Sequence, residues 1–318
     1  MREHGVLTPK VSGDMLTEVR EGMSRAQKEL SPKFFYDERG SELFDEITTL
    51  PEYYPTRVER ALLARHARAW LRGYRPCALI ELGAGSADKT RILLDAMTGD
   101  DRWYIPIDIS VTYLSEVAAK FGMQYPHLRT LPVEADISRG PVVPPDMPKP
   151  AVIAFLGSTI GNFDNAEATR LLEAVRRAMG PRDRFLMGVD LRKDVATIEA
   201  AYNDSRGVTA EFNKNVLLVL NRELSADFDV DAFEHVAFYN REHHRIEMHL
   251  RSLREQSVTI PEAGVFDLDK GETIRTEISC KYDRGSIDRL FELTGLEVEI
   301  WQADPDNLYA LVVARVKR

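Results

Sequence analysis

Carboxylates and glycines recur where apolar runs end in the first half of the chain. Gly83 and Gly85 follow Glu81 after the first run, and Asp108 and Asp136 end the next two. Glycine lets a ligand approach bare backbone. A carboxylate about 20 residues beyond such a turn is suited to accept both hydroxyls of a ribose. Asp136 is placed to accept the exocyclic amine of adenine, so the pattern predicts an adenosine-containing ligand.

The glycine turn departs from the dinucleotide-binding fingerprint at one position. In G-x-G-x-x-G the third glycine allows close helix packing, but Asp88 stands there. An acid would also repel a pyrophosphate, so the turn favours a cationic ligand without phosphate, such as the sulfonium of S-adenosylmethionine. Lys89 is then placed to meet the carboxylate of that ligand. The alternative is an ordinary strand-to-helix turn that binds nothing.

A second glycine-rich turn follows the fourth apolar run. Gly157 precedes Ser158 and Thr159, which opens the backbone to whatever receives a methyl group. Asn162 offers two donors and an acceptor, which suits the ammonium or carboxylate of an amino acid. No G-x-S-x-G elbow forms, because Ser158 follows Gly157 directly, and hydrolysis is therefore set aside. A turn that contains asparagine but binds no ligand is the alternative.

One later pair of residues suits a ring with two nitrogens, or merely belongs to a strand exposed to water. Glu277 and Ser279 are two apart on a predicted strand, so both project from one face. If that face is covered, the carboxylate needs an N–H-bearing partner, and an imidazole satisfies both groups. A solvated strand face is the alternative. We expect no metal at His243, His244 and His249, because strand alternation sends the first two to opposite faces.

Aromatic side chains are concentrated in residues 31–57. They form either an apolar lid or a pocket lined by tyrosine hydroxyls, and composition does not decide between the two. These side chains are Phe34, Phe35, Tyr36, Phe44, Tyr53 and Tyr54.

Alternating strand and helix patterns position the glycine turns and carboxylates. Apolar runs separated by helical patterns predict parallel strands over 78–82, 103–108, 128–133, 151–156 and 184–191. Two further runs, 296–302 and 308–317, are joined by a short connection and predict an antiparallel pair. The expected fold class is therefore α/β: a Rossmann-like, seven-stranded sheet with an antiparallel last strand, as in class I S-adenosylmethionine-dependent methyltransferases.

Residues 193–280 interrupt the alternation. Helical patterns over 194–202 and 209–224 precede expected antiparallel strands over 235–240, 245–253, 257–260 and 273–282. We therefore predict two domains. A methyltransferase domain comprises residues 57–192 and 281–318, and a smaller α+β substrate-binding domain comprises residues 1–56 and 193–280.

Composition limits the partners. The 42 Lys and Arg residues against 51 Asp and Glu give a net charge of −9, which argues against a nucleic-acid substrate. The two cysteines, Cys77 and Cys280, are far apart in sequence and are read as reduced thiols. The sequence has no apolar run of membrane-spanning length and no signal-peptide pattern. We expect a cytoplasmic monomer that acts on a small molecule and binds neither membrane nor nucleic acid.

Longer segments resemble a known family. They are LPEYYPTR (50–57), ELGAGSADKTRILLDAM (81–97), FLGSTIGNF (155–163), GVTAEFNKNVLLVLNRELSADFDVDAFEHVA (207–237), RIEM (245–248) and TEISCKY (276–282). Together they resemble the EgtD family, the histidine-specific Nα-methyltransferases that make hercynine in ergothioneine biosynthesis. The resemblance implies that S-adenosylmethionine is the methyl donor, S-adenosylhomocysteine the by-product, and the α-amino group of L-histidine the site of trimethylation.

The resemblance also implies roles for single residues. It places cofactor binding on Gly83, Lys89, Asp108, Asp136 and Ile137, in addition to the Gly85 of the turn. Ile137 stands where the family pattern has phenylalanine, so we expect only apolar contact with adenine there.

Substrate roles follow in the same way. Asn162 and Tyr202 are implied to hold the carboxylate of histidine, and Tyr53, Glu277 and Ser279 to read the imidazole, with Met248 and Phe44 as apolar walls. Tyr36 is our hypothesis for the proton acceptor or relay at the amine, through water and Thr159. The small residues Gly157 and Gly161 are expected to leave room for the methylated amine.

Three other activities remain as alternatives. In the first, the protein methylates another amino acid, such as tryptophan or tyrosine. In the second, it binds S-adenosylmethionine as a non-catalytic regulator. In the third, it methylates a protein or nucleic acid. Glu277 beside Met248 favours histidine over an indole, because an indole offers only one N–H to a carboxylate.

Overall fold

The computed structural model describes residues 11–84, 87–109, 111–137, 143–144 and 147–318. Its helices are α1 (Val11–Met23), α2 (Glu38–Thr49), α3 (Tyr54–Tyr74), α4 (Ala87–Ala96), α5 (Val111–Gln124), α6 (Asn165–Ala178), α7 (Val195–Ala200), α8 (Val208–Leu224) and α9 (Arg284–Thr294). Short 3-10 helices span Pro32–Phe35, Thr159–Asn162 and Val230–Ala232. None of the helices formed by these residues is long and apolar enough to cross a membrane.

The strands form three sheets. They are β1 (Lys28–Glu29), β2 (Ala78–Leu82), β3 (Arg102–Asp108), β4 (Leu128–Thr130), β5 (Val133–Glu134), β6 (Ala151–Phe155), β7 (Arg184–Asp190), β8 (Phe233–Asn240), β9 (Arg245–Ser252), β10 (Gln256–Ile260), β11 (Gly264–Leu268), β12 (Thr273–Cys280), β13 (Leu296–Ala303) and β14 (Tyr309–Val316).

Contacts divide the chain into two compact units. The first unit contains the described residues up to Tyr53 together with Val195–Asn240 and Ile246–Ile278. The second contains the described residues of Tyr54–Asp194, with Arg241–Arg245 and Ser279–Arg318. The predicted domains differ in that they leave residues 54–56, 193–194, 241–245 and 279–280 with the first unit. Those residues join the second unit, where the backbone N–H of Lys281 donates to the carbonyl of His244 at 2.8 Å.

The second unit is built on the large sheet, whose order is β13-β14-β7-β6-β2-β3-β4, with β5 paired to β3. The central strands β2 and β6 are parallel and buried along their whole length, as expected for strands covered on both faces. β14 is antiparallel to both of its neighbours, β7 and β13. The parallel sheet with a reversed last strand was therefore predicted correctly.

One predicted strand was wrong in detail. Residues 128–133 were expected to form a single strand, but they form β4 and the start of β5, so the described residues contribute eight strands to the sheet and not seven. Pro132 separates the two, and proline has no N–H to contribute to a ladder.

Apolar clusters lie on both faces of this sheet. One combines the sheet with α6 and α9, through side chains such as Leu172 and Phe291. The other combines it with α3, α4 and α5, through side chains such as Leu63, Leu93 and Phe121. The three-layer arrangement fixes the carboxyl ends of the parallel strands, where a doubly wound sheet binds its ligands.

The first unit contains the smaller sheet, in the order β1-β12-β9-β8, and the separate antiparallel hairpin β10-β11. The sequence predicted β8, β9 and β12 but missed β1 and β11. β1 has only two residues and is held by parallel pairing of Lys28 with Ile274, a contact that no local pattern reveals. Residues 257–260 were expected among the other strands and instead pair with β11.

Candidate active site

Three residues predicted to bind the cofactor lie at neighbouring strand ends in the second unit. Gly83 follows β2, and its N–H donates to the carbonyl of Ile107 in β3 at 2.8 Å. Asp108 ends β3, and its carbonyl accepts the N–H of Ala135 at 3.0 Å, which places Asp136 beyond the end of β5. The pairing of β2, β3 and β5 therefore brings these sites to one edge of the sheet.

Gly83 presents open backbone next to an apolar side chain. Gly83 has φ +66°, and among the described residues a Cβ built on it would meet only Ile137 Cδ1, at 3.8 Å. The backbone is therefore accessible, with an apolar side chain facing it, and the half-buried carboxylates of Asp108 and Asp136 lie on the adjacent strand ends. Two acceptors, an apolar wall and open backbone suit ribose hydroxyls and a purine. Gly85 lies outside the described residues.

Glu81 belongs to the framework of this edge. Its buried carboxylate accepts the hydroxyls of Thr90 and Tyr104, each at 2.7 Å. Burial raises the pKa of Glu81, and the two hydrogen bonds oppose that rise. Glu81 therefore ties α4 and β3 to β2.

Lys89 has a partner that the sequence did not reveal. Its Nζ lies 2.7 Å from Oε2 of Glu59, a fully buried residue of α3. Glu59 also accepts the hydroxyl of Tyr309 at 2.7 Å and the N–H of Gly157 at 2.8 and 2.9 Å. An ammonium has three donors, so this pairing leaves Lys89 with capacity for a ligand while fixing where it lies.

The turn after β6 is held from several sides. Gly157 has φ +76° and is exposed, and Ser158, with φ 56°, accepts the backbone N–H of Asp190 through its Oγ at 2.9 Å. The hydroxyl of Thr159 donates to the carbonyl of Leu156 at 2.8 Å, so a relay through Thr159 requires that bond to exchange.

The half-buried Asn162 ends the 3-10 helix that follows this turn. This helix packs closely on the end of β12. A Cβ at Gly161 would lie 2.9 Å from the carbonyl oxygen of Cys280 and 3.3 Å from Oγ of Ser279. Gly161 is therefore small because it packs on β12, and our sequence-based interpretation, that it leaves room for a methylated amine, is not needed to explain it.

A buried charged cluster lies beside Ser279. Asp190 accepts the hydroxyl of Tyr54 at 2.9 Å and pairs with the ammonium groups of Lys193 and Lys281, the latter at 2.8 Å. Burial raises the pKa of Asp190, but the two lysines outweigh it and hold the pKa below its usual value. Burial lowers the pKa of Lys193 to about 8, against the attraction of Asp190. None of these charged residues was predicted to have a role, although Lys281 lies in the TEISCKY segment.

Aromatic rings connect four predicted residues of the first unit. Tyr36 contacts Phe44 with ring centroids 5.7 Å apart, Phe44 contacts Tyr53 at 6.2 Å, and Tyr53 contacts Tyr202 at 6.3 Å. Phe212 of α8, which the sequence analysis did not single out, contacts Tyr36 and Phe44 at 5.7 and 5.9 Å. Tyr36 is 47% exposed, whereas Tyr53 and Tyr202 are buried.

A buried asparagine lies behind Tyr202. Asn213 Nδ2 donates to Nδ1 of His235 at 2.8 Å, and the other ring nitrogen of His235 lies 2.8 Å from the carbonyl of Tyr202. A carbonyl only accepts, so His235 carries its proton on Nε2. Burial lowers the pKa of His235, which favours this neutral form.

The same asparagine reaches two other strands. The hydroxyl of Thr276 lies 2.6 Å from Oδ1 of Asn213 and 3.1 Å from the carbonyl of Met248. Met248 is buried in β9, and Thr276 directly precedes the half-buried Glu277 in β12. Asn213 therefore connects the backbone of three predicted substrate residues, Tyr202, Met248 and Glu277.

Across the described ranges, no group of three or more His, Cys, Asp or Glu side chains is arranged to hold a metal ion.

The chain is similar to one family model and to several proteins whose names refer to histidine methylation or ergothioneine biosynthesis. A family model described as "Histidine-specific methyltransferase, SAM-dependent" matches residues 15–316. The chain is 42% identical over 300 residues to the histidine N-alpha-methyltransferase of Mycolicibacterium smegmatis, with 93% of each chain covered. It is 31% identical over 286 residues to ergothioneine biosynthesis protein 1 of Neurospora crassa, covering 85% of this chain and 31% of that longer protein.

A solved structure agrees with the topology. The S-adenosylmethionine-dependent methyltransferase from Clostridium acetobutylicum has a TM-score of 0.51 at 13% identity, covering 87% of this chain and 99% of that chain. Similarity at this identity shows the fold alone, and the fold class predicted from the sequence is confirmed.

Proposed function

The chain belongs to the family of histidine-specific, S-adenosylmethionine-dependent methyltransferases, and from this premise we propose that it trimethylates the α-amino group of L-histidine to hercynine. This is the first step of ergothioneine biosynthesis. The observation that carries the proposal is 42% identity to a histidine N-alpha-methyltransferase over 93% of both chains.

The cofactor is proposed to lie at the sheet edge formed by β2, β3 and β5. Asp108 accepts the ribose hydroxyls, Asp136 the adenine amine, Gly83 offers bare backbone, and Ile137 contacts the base. When bound, S-adenosylmethionine supplies a methyl group already activated by its sulfonium. Lys89, held by Glu59, presents an ammonium for the carboxylate of the ligand. Gly85 keeps the cofactor role that the sequence assigned to it.

The substrate residues keep the roles that the resemblance assigned. Asn162 and Tyr202 hold the carboxylate of histidine, Tyr53, Glu277 and Ser279 read the imidazole, and Met248 and Phe44 pack on the ring. Several features support these roles. Tyr53 and Tyr202 are in ring contact, and Asn213 fixes the backbone at Tyr202, Met248 and Glu277. Positioning of nitrogen and methyl in line at attack distance is the main task of such residues.

Attack requires an unprotonated amine, although an α-amino group is mostly ammonium at neutral pH. Tyr36 is proposed as the proton acceptor or relay, since its ring is fixed by Phe44 and Phe212 while 47% of it remains accessible. Thr159 is proposed as the next carrier, through water. The exposed, side-chain-free Gly157 leaves room for the mono- and dimethylated amine.

A competition experiment tests the function and separates it from its alternatives. The protein is incubated with S-adenosylmethionine and all amino acids together, and the products are measured by mass spectrometry. We expect three successive methyl increments on histidine. Methylation of tryptophan or tyrosine instead would show a different substrate, and cofactor binding without any product would indicate a regulator.

A matched pair of variants tests the cofactor site. Asp108→Asn removes the proposed ribose acceptor and should weaken cofactor binding at least about tenfold, as expected for a charge-assisted hydrogen bond. Asp101→Asn removes an exposed carboxylate before the same strand, which pairs with Arg129, and should leave cofactor binding unchanged. Equal effects of the two substitutions would contradict the assignment.

We further propose that the protein acts in the cytoplasm as a monomer, without metal, membrane or nucleic acid. Light scattering of the purified protein tests the oligomeric state. Turnover after treatment with a chelator tests the absence of a metal requirement.

A further inference from the structure

A buried lysine fixes the hydrogen-bonding direction of Ser279. The Nζ atom of Lys281 lies 2.8 Å from Oδ2 of Asp190 and 2.8 Å from Oγ of Ser279. The ammonium is fully shielded from solvent, and Ser279 is only 3% exposed. Both contacts lie within the second unit.

The chemistry of the Lys281 ammonium and the Ser279 hydroxyl decides which of them donates the hydrogen bond. An ammonium has three donors and no acceptor, so Ser279 must accept from Lys281. A serine hydroxyl normally rotates and offers either a donor or an acceptor to a ligand. With its oxygen held by Lys281, Ser279 directs its own proton away from the lysine. A buried hydroxyl proton needs an acceptor, since leaving it unpaired costs about 1–3 kcal/mol.

Lys281 itself is held from several sides. Its carboxylate partner Asp190 is fixed by the hydroxyl of Tyr54 at 2.9 Å and by Lys193. The backbone N–H of Lys281 donates to His244 at 2.8 Å, and its carbonyl accepts Nε of Arg192 at 3.1 Å. The ammonium therefore cannot turn away from Ser279 without breaking a buried ion pair.

We propose that Lys281 is a positioning residue that holds Ser279 as a hydrogen-bond donor, so that Ser279 selects the neutral imidazole of histidine through its unprotonated ring nitrogen. The inference rests on the proposed function, in which Ser279 contacts that ring. An imidazolium presents N–H groups at both nitrogens, and one of them would face the proton of Ser279.

Other titratable and charged groups around this cluster must be controlled in any pH experiment. Those facing it are Asp190 at the end of β7, Arg192 and Lys193 after it, Tyr54 at the start of α3, Asp304, Arg245, and Cys280 and Tyr282 beside Lys281. Burial lowers the pKa of Lys193 to about 8, so measurements below pH 7 keep it charged.

Calorimetric titration with L-histidine at pH 5.0 and pH 7.0 tests the proposal. In this window the amine stays protonated and the carboxylate ionised, so the imidazole is the group of the substrate that titrates. The protonated amine of free histidine lowers the imidazole pKa from about 6.5 to about 6, so a site that takes only the neutral ring should bind about tenfold more weakly at pH 5.0. In Lys281→Met, where Ser279 is free to rotate, the ratio of the two affinities should fall to about threefold or less.

Two further variants separate this role from general damage. Lys193→Met removes the other ammonium from the same aspartate without touching Ser279, and should keep the steep pH dependence of the wild-type protein. In Ser279→Ala the pH dependence of histidine binding should also become weaker. Adding Lys281→Met to the Ser279→Ala variant should change histidine affinity by less than about twofold, because the lysine acts through the serine. If Lys281→Met does not fold, a steep pH dependence that persists in Ser279→Ala still overturns the proposal.

Each outcome has a distinct meaning. An equally steep pH dependence in Lys281→Met, or an undiminished effect of that substitution in the Ser279→Ala background, overturns this inference alone. A wild-type protein that neither binds nor methylates histidine overturns the proposed function, and the inference with it.

Discussion

The ammonium of Lys89 lies 2.7 Å from the carboxylate of Glu59, which is fully buried. Through Glu59, helix α3 also contacts the N–H of Gly157 and the hydroxyl of Tyr309. One carboxylate therefore fixes the helix after the first glycine turn, the turn after β6 and the last strand. Gly188 makes this possible, because a methyl group there would overlap Glu59 and Tyr309.

Replacing Glu59 with glutamine should destabilise the protein. The substitution keeps the shape but leaves the Lys89 ammonium without its charged partner, and breaking a buried ion pair in this way typically costs about 3 kcal/mol or more. Urea denaturation measures the free energy of unfolding. As a control, Glu297→Gln removes a more exposed carboxylate, paired with Arg315, and should change that free energy by less than about 1 kcal/mol. Similar values for the two variants would contradict the role of Glu59.

Gly161→Ala should displace the short helix that carries Asn162. The added Cβ would lie 2.9 Å from the carbonyl oxygen of Cys280, so one of the two segments must move. We expect a loss of about 1–3 kcal/mol in the free energy of unfolding and a raised KM for histidine. Gly73→Ala is the control, because a Cβ there meets none of the described residues within 4 Å and alanine favours the helix by about 0.5–1 kcal/mol. An unchanged KM in Gly161→Ala would show that Asn162 does not need this packing.

Local sequence patterns were sufficient to predict the sheet of the second unit. Its strands are short apolar runs between helical patterns, and the carboxyl ends of parallel strands meet at one edge, which brought Gly83, Asp108 and Asp136 together. The error at residues 128–133 arises because Pro132 interrupts the hydrogen-bonding ladder inside an apolar run that otherwise has the pattern of one strand.

The buried charged and polar groups were not predictable in this way. Glu59 stands among arginines in a helical pattern and reads as one more solvated charge. Its burial depends on Tyr309, which is 250 positions away in the sequence. Asp190 and Lys281 are likewise brought together by sheet pairing, and Asn213 contacts Thr276 across 63 positions. Such pairings follow from tertiary packing, which periodicity does not encode.

Asn213→Ala should impair histidine binding indirectly, through the substrate residues whose backbone Asn213 holds in place. The substitution removes the hydrogen bonds to His235, the carbonyl of His249 and the hydroxyl of Thr276, and so frees the backbone that carries three substrate residues. We expect the KM for histidine to rise at least about tenfold, as for a displaced binding group. Steady-state kinetics with saturating cofactor measures it.

A second asparagine of α8 provides the control for this prediction. Within the described part of the chain, the side chain of Asn221 bonds the backbone of Phe228, at 2.8 and 2.9 Å, and not a substrate residue. Asn221→Ala should lower stability while leaving the KM for histidine unchanged. An equal rise of KM in both variants would mean that loss of stability, and not positioning, explains the effect of Asn213.

Tyr36→Phe tests the proton acceptor. If Tyr36 accepts or relays the proton of the amine, its loss should lower kcat/KM for histidine by about 100-fold or more and alter the pH profile. The ring contacts with Phe44 and Phe212 are kept by phenylalanine, so structural damage should be small. Tyr125→Phe, which removes a hydroxyl bonded to Asp95, should leave kcat/KM unchanged. If Tyr36→Phe has the rate and pH profile of the wild-type protein, the relay is wrong.

The buried ammonium of Lys193 should make stability rise in mildly alkaline solution. Burial lowers its pKa from 10.5 to about 8 in the folded protein, whereas the unfolded chain keeps the ordinary value. Between these values the unfolded chain binds more protons, so the free energy of unfolding rises with pH. Below pH 8 the buried ammonium of Lys193 lowers the free energy of unfolding by its full amount, and above pH 10.5 this loss has disappeared. Relative to Lys193→Met, the wild-type protein should gain about 2 kcal/mol between pH 7 and pH 9.5.

Urea denaturation of the wild-type protein and Lys193→Met at pH 7 and pH 9.5 measures this gain. Because the two proteins share all other titrating groups, the contributions of those groups cancel in the difference. Lys317→Met is the control, because Lys317 is half exposed and pairs with Glu292 at 3.3 Å. As expected for an exposed pair, it should change the free energy of unfolding by less than about 1 kcal/mol at pH 7. A pH-independent difference for Lys193→Met would show that Lys193 keeps an ordinary pKa. In that case the attraction of Asp190 would equal the cost of burial, and Asp190 would hold two fully charged lysines across the whole neutral range.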